Sequence, residues 1–298
     1  MKLPEVETPS YYLPAATLTL KLAPDDTPCL VEVIKPFTPF TISQVLLCQP
    51  AKFIDESSYP TPIQLPDTFI VKVYDPKYMD NRLPFKSRPA RPWSLEAEQA
   101  AATRREGKGC SGRDASYNLA DWPEEEEDKT GWEEWYFQSA EDQYYHESGA
   151  YKHLESIQGT TVPRCYGYGT LDLPERAIFP HVLVIEYISD AETLEKVDPA
   201  CVSLELAQSL VNGIKEVNRL GVVHTDLNPG NILFSPRDQP TRAVVVDFGH
   251  AGLREEEEDD ESWREVLEEN DDPHWMRVHL KRSLGKDILD SETAAPAA

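Results

Sequence analysis

The sequence predicts an α+β protein in which a strand-rich, antiparallel N-terminal region precedes a reduced, mostly helical C-terminal one. Three observations carry this reading. Extended segments dominate up to residue 75, and TFIVKVYD (residues 68–75) alternates and is rich in β-branched side chains. A long helical pattern then runs from roughly Trp132 to Ile157, with Phe137, Ala140, Tyr144, Tyr151 and Leu154 at helical spacing. Last, VVHTDLNPGNILF (residues 222–234) and VVVDFGHA (residues 244–251) deliver acidic and amide side chains from the ends of short strands.

Taken in order, residues 1–28 are Pro-rich and predict an irregular arm. A strand-like region follows from Leu30 to Lys52, where VEVIKPFTPF and TISQVLLC can pair as a hairpin. From Pro76 to about Gly131 the composition changes: a short helical stretch, SLEAEQAAATRRE, is followed by GKGCSGRD and WPEEEEDK. This predicts a partly loose insertion, with Glu124–Asp128 as a solvated acidic loop. Past the long helix, VPRCYGYGTL and HVLVIEYI read as strands. A second helix spans Leu204 to Leu220, with Leu206, Leu210, Ile214 and Val217 on one face and Gly221 at its C-cap. NILF and AVVVDFG are short strands flanking a loop. Residues 255–284 are acidic and then mixed, and predict helix; the tail SETAAPAA predicts disorder. No internal repeat is present.

Charge narrows the function classes. The chain has 29 Lys and Arg against 53 Asp and Glu, a formal charge of −24. That surface disfavours nucleic acid and anionic membrane, both of which need clustered cations. It also repels free ATP, so a nucleotide site here needs local positive charge and a metal. Five widely spaced cysteines without a CxxC pair fit a reduced protein better than a disulfide framework. The start MKLPEVETPSYY lacks an apolar signal region, and no apolar run approaches the roughly 20 residues needed to span a bilayer. The expectation is an intracellular, cytoplasmic protein.

The chemistry concentrates in the last two motifs. Asp226 is followed five residues later by Asn231, and a further strand brings Asp247 just before a Gly turn. Two carboxylates and an amide arriving from neighbouring strand ends make an oxygen-rich cluster. Hard oxygen donors suit magnesium, which completes its shell with water and phosphate. Two other residues stand out. Lys72 sits in mid-strand among Ile70 and Tyr74, and Glu147 lies within the apolar stripe of the long helix. Each needs a partner if buried. Lys72 snorkelling from an edge strand and Glu141 in place of Glu147 remain alternatives.

The pattern H-x-D-x-x-x-x-N followed by D-F-G, with Asp226 and Asp247 21 residues apart, resembles the catalytic and metal-binding loops of the protein-kinase-like superfamily. HTDLNPGNIL resembles the aminoglycoside- and choline-kinase-like branches more than ordinary protein kinases, and the whole chain is similar to fungal kinase-like proteins. The resemblance implies a two-lobed protein-kinase-like fold: an arm over 1–28, an antiparallel-sheet N-lobe over 29–188 interrupted at about 76–131, and a short, mostly helical C-lobe over 189–298. It implies that ATP and Mg are bound. Asp226 becomes the base for an acceptor hydroxyl, with Asn228 beside it where many kinases carry a lysine. Asn231 and Asp247 become metal ligands, and His224 a brace. Lys72 contacts the phosphates and pairs with Glu147; Glu186 and Ile188 are assigned to the nucleotide. The acceptor, protein or small molecule, stays unnamed, and a protein partner is possible.

The sequence also departs from that pattern. VIKPFTPFTISQVLLC, where a Gly-rich loop belongs, contains no glycine, and Pro36 and Pro39 remove backbone donors that would reach phosphates. Ile70 is bulkier than the alanine common two residues before the lysine. Only 49 residues follow Gly249, without an APE motif, which argues against a docked peptide substrate. Either the chain is an atypical phosphotransferase, or it is an inactive relative that binds nucleotide or a protein. The histidines His146, His153, His181, His250, His274 and His279 show no metal spacing and receive no role. The run Glu255–Glu261 reads as a solvated face, or as a gate over the nucleotide.

Overall fold

The computed structural model describes residues 8–51, 64–110 and 112–287. The tail SETAAPAA, residues 1–7 of the arm and the end of the first strand-like region at Lys52 lie outside them. The chain forms two compact units: residues 1–145 with 165–187, and residues 146–164 with 188–298. The strand and helix content is α+β, as the sequence predicts.

In the first unit, strands β1 (Thr17–Leu22), β2 (Thr27–Phe37), β3 (Gln44–Pro50), β4 (Phe69–Tyr74), β5 (Cys165–Leu171) and β6 (His181–Glu186) are accompanied by helix α1 (Leu95–Gly107) and by α2 (Lys129–His153), whose residues from 146 on belong to the second unit. The strands close into an antiparallel barrel in the order β1-β2-β3-β4-β6-β5. This corrects two expectations. The sheet is a closed barrel, and the arm over 1–28 contains β1. The reason lies in TLTLKL: Leu18, Leu20 and Leu22 alternate inward and are buried, while Pro14 and Pro24 only flank the strand. β1 pairs with β2 on one side and with β5 on the other, Leu20 facing Leu171. Gly169 permits that closure, because a Cβ there would fall on the Lys21 carbonyl. Val31, Val33, Leu46, Phe69, Val71, Val73, Val182 and Val184 fill the interior.

The stretch expected to be a partly loose insertion carries the expected helix, α1, followed by turns and irregular backbone up to α2. α1 is capped by Ser94, whose Oγ accepts from Ala97 N at 3.2 Å. Four arginines of the insertion tie it to α2 or its entry, each with one carboxylate and one ring. Arg82 forks onto Glu133 at 2.8 and 2.6 Å and lies over Tyr136. Arg91 forks onto Glu126 and covers Trp132. Arg105 meets Glu134 at 2.8 Å and covers Phe137. Arg113 meets Asp142 at 2.9 Å and covers Tyr145. A guanidinium satisfies a carboxylate in its plane and an aromatic face above it, so one side chain joins a polar and an apolar surface. Glu126 is therefore paired, although it is exposed like its neighbours in the acidic run.

A second buried pair joins the end of β4 to the insertion. Arg176 binds Asp75 at 3.0 Å and Glu98, which also accepts from Trp93 Nε1 and Ala177 N. Burial pushes the Glu98 carboxyl up, but Arg176 and the other donors outweigh it and hold it below the ordinary carboxylate range. Burial wins at Glu133, whose carboxyl lies above that range despite the Arg82 fork. The number of donors decides between the two.

The second unit contains β7 (Glu192–Thr193), α3 (Leu204–Arg219), β8 (Val222–Val223), β9 (Ile232–Ser235), β10 (Arg242–Val245), β11 (Gly252–Leu253), α4 (Asp260–Asn270) and α5 (Asp272–Leu284). β10, β9 and β7 form one small sheet, and β11 pairs with β8. α3 starts at Ser203, whose Oγ accepts from Leu206 N, and ends before Gly221 at φ +84°. Its apolar face (Leu210, Val211, Ile214, Val217) packs with Ile232, Phe234, Val245, Phe248, Met276 and Leu280. The helical stretch expected over 255–284 is two helices, broken at Asp271 with φ +40°.

Candidate functional site

The two motifs fold onto one another within the second unit. β8 ends at Val223, and the chain then turns sharply: Asp226 N donates to His224 O at 2.7 Å, with Thr225 between them at φ +57°. Asn228 shapes the next turn. Its Oδ1 accepts from Gly230 N at 2.9 Å, and its carbonyl accepts from Asn231 N at 3.0 Å. Pro229, with φ already fixed, occupies the first turn position. The NPGN segment is thus a preformed tight turn that returns the chain into β9.

That turn gathers the predicted side chains. Asn228 Nδ2 reaches Asp226 O at 3.1 Å and Oδ1 at 3.3 Å. Asn231 Nδ2 reaches Asp226 O at 3.1 Å and Oδ2 at 3.3 Å. Two contacts bring the DFG segment alongside. Asn231 O accepts from Val246 N at 3.0 Å, and His224 Nε2 donates to Val246 O at 3.0 Å. The acceptor is a carbonyl, so His224 carries its proton on Nε2; its Nδ1 is buried without a hydrogen-bond partner among the described residues. Asp247 follows Val246 directly, at φ +69°, and is exposed. Left-handed backbone at a non-glycine residue persists only where surroundings impose it. Here Phe248, fully buried against the rings of His224 and Tyr151, is the anchor.

Sequence reasoning missed Asp272. This buried carboxylate at the start of α5 accepts from His224 N at 2.7 Å and from Asn218 Nδ2 at 3.0 Å. It fixes the loop from behind. Nothing in a long acidic stretch distinguishes one aspartate from the next, so only the fold reveals it.

The remaining predicted residues belong to other elements. Lys72 is in β4, opposite Val45 and Leu183, and is 5% exposed. Its face is the one turned from the barrel interior, shared with Tyr74, whose ring meets Tyr144 of α2 at 5.5 Å. Glu147 is fully buried one helical turn beyond Tyr144, in the part of α2 that belongs to the second unit. Its competitor Glu141 is engaged by His181, Nε2 lying 3.3 Å from the carboxylate. Glu186 ends β6 opposite Phe69, and Ile188 is buried two residues on. No helix among the described residues is long and apolar enough to cross a membrane.

Known proteins resemble parts of this chain. Residues 150–270 match the family model of the ABC1 atypical kinase-like domain, under half of the chain. That stretch is protein-kinase-like and of the atypical kind. A calcium and calcium/calmodulin-dependent serine/threonine-protein kinase of Oryza sativa subsp. japonica is 29% identical over 82 residues, 24% of this chain and 15% of that protein. Calcium-dependent protein kinase 22 of Arabidopsis thaliana is 33% identical over 76 residues, 22% of this chain and 15% of that protein. Among solved structures, the Rio2 kinase–ADP/Mg2+–phosphoaspartate complex from Chaetomium thermophilum matches at 13% identity with a TM-score of 0.42, covering 88% of this chain and 57% of that one.

Proposed function

We propose that this chain, atypical kinase-like over residues 150–270, is an ATP- and magnesium-dependent phosphotransferase that moves the γ-phosphoryl group to a hydroxyl. One observation carries this: Asp226 is hydrogen-bonded to Asn228 and Asn231, and the Asn231 carbonyl accepts from the backbone N–H of Val246, the residue before Asp247. In this reading Asp226 accepts the acceptor's proton, and the two amides orient its carboxylate. Asn231 turns its Nδ2 toward Asp226, which leaves its Oδ1 for a cation. That oxygen and the exposed Asp247 carboxylate fit magnesium. Magnesium held there would neutralise charge on the phosphate oxygens.

Lys72 is assigned to the phosphates and to Glu147. Both are buried almost completely, a costly state for either ion alone. Glu186 and Ile188 are assigned to the nucleotide. The reading is tested by magnesium-dependent ATP turnover in the wild type and in Asp226→Ala and Asp247→Ala. Each substitution is expected to lower kcat on the order of 10²–10⁴-fold. Equal turnover in all three proteins defeats it.

A second reading, a nucleotide-binding or protein-interaction module without turnover, is favoured by the hairpin of β2 and β3. Its connection contains no glycine, and Pro36 sits within the paired part of β2. Thermal-shift titration with ATP separates the two: a magnesium-dependent shift without turnover supports the module.

A further inference from the structure

We propose that His279 is a positioning residue for the Asp226 loop, which makes α5, beyond the family-matched stretch, part of the working machinery; this rests on the phosphotransfer reading above. The carboxylate of Asp226 hydrogen-bonds, among the described residues, only to the amides of Asn228 and Asn231 in its own loop. Its position therefore depends on how the loop backbone is held. α5 holds it at two points. Asp272 takes His224 N, on the N-terminal side of Asp226. Seven residues later, two turns along the same side of the helix, His279 Nε2 lies 3.0 Å from the carbonyl of Leu227, on the C-terminal side.

The chemistry of that contact is defined. A carbonyl only accepts, so the imidazole presents Nε2–H. Burial holds the His279 ring below its ordinary range, so it is neutral at pH 7 and keeps this donor without adding charge beside Asp226. Leu227 packs its side chain against the core of the second unit. With His279 on its carbonyl, the residue between Asp226 and Asn228 is fixed at both ends. The helix itself is anchored by Met276, Leu280 and Leu284, all buried. Trp275, one turn before His279 and 6.4 Å from it between ring centroids, lies on the solvent side. The left-handed turn at Thr225 gives the loop a reason to need such support.

The test uses the full chain with His279→Leu, which keeps bulk and loses the donor, and His279→Gln, which keeps a side-chain N–H. In His279→Leu, amide hydrogen exchange at Thr225, Asp226, Leu227 and Asn228 should quicken at least about tenfold. Its kcat should fall on the order of tenfold to a hundredfold, while KM for ATP changes less than about twofold. His279→Gln should recover most of both effects. Equal loop exchange in the three proteins overturns the proposal, and so does a Gln variant as impaired as Leu, which would leave only packing. If the wild type lacks turnover but the exchange contrast holds, the phosphotransfer reading fails and the positioning of the loop by His279 stands.

Discussion

The insertion around α2 and the loop around Asp226 are both crowded with charged and amide groups, and they use them in opposite ways. Around α2, Arg82, Arg105 and Arg176 are buried and matched to Glu133, Glu134, Glu98 and Asp75 at 2.5–3.0 Å. In the loop, Asp226 and Asp247 face solvent, and Asp226 meets neutral amides rather than a cation. One region commits its charges to holding structure. The other keeps its carboxylates accessible, as the proposed engagement of a cation and a proton requires. The same residue types thus separate into scaffold and candidate site by what surrounds them.

This contrast makes graded predictions. The largest effect is expected at Arg176. Its replacement by Met strands Asp75 and Glu98 as buried, unmatched carboxylates and should cost about 3–5 kcal/mol in urea unfolding. A loss below about 1 kcal/mol would show that the buried pairs are not the scaffold described. Asp272→Ala comes next. It orphans His224 N and leaves Asn218 Nδ2 with Val222 O alone, and should cost about 1–3 kcal/mol, with, on the phosphotransfer reading, a loss of turnover that exceeds what the altered melting temperature explains.

A smaller effect concerns pH. Burial lowers the affinity of His181 for a proton, but the bond to Glu141 outweighs it and raises the pKa above the ordinary histidine value. A raised pKa means stability fully present below about pH 6.5 and lost as pH rises through the higher folded value. His181→Asn should flatten that decline in a pH series of thermal melts; an unchanged slope counts against the pair. Glu98 has the opposite sign. Its lowered pKa gives stability that is present above the ordinary carboxylate value and falls away in acid, as pH drops through the lowered one. The smallest effect belongs to the loop itself: Asp226→Asn should alter unfolding free energy by no more than about 0.5 kcal/mol. A large destabilisation there would erase the distinction between the two regions.

Much of this molecule is legible in its residues. The alternation of FIVKVY, the apolar stripes of α2 and α3, and the C-cap at Gly221 are local properties of the chain, so pattern reveals them. The spacing of Asp226, Asn228, Asn231 and Asp247 is legible too, because NPGN is a turn that folds on its own hydrogen bonds. Other features depend on partners far away in sequence. The arm becomes β1 only because β2 and β5 offer it two edges. The insertion is tied down only because its arginines find the carboxylates and rings of α2 and its entry. Asp272 and His279 look like any other polar residues until α5 lies behind the loop.

The sequence by itself determined the α+β content, the strand and helix periods and the chemistry of the Asp226 turn, since each rests on contacts within a few residues. Barrel closure, the arginine clamp on α2 and the two-point hold of α5 on the loop were decided by tertiary structure. Those contacts join residues tens of positions apart, and their free energy exists only once hydrophobic burial has brought the elements together.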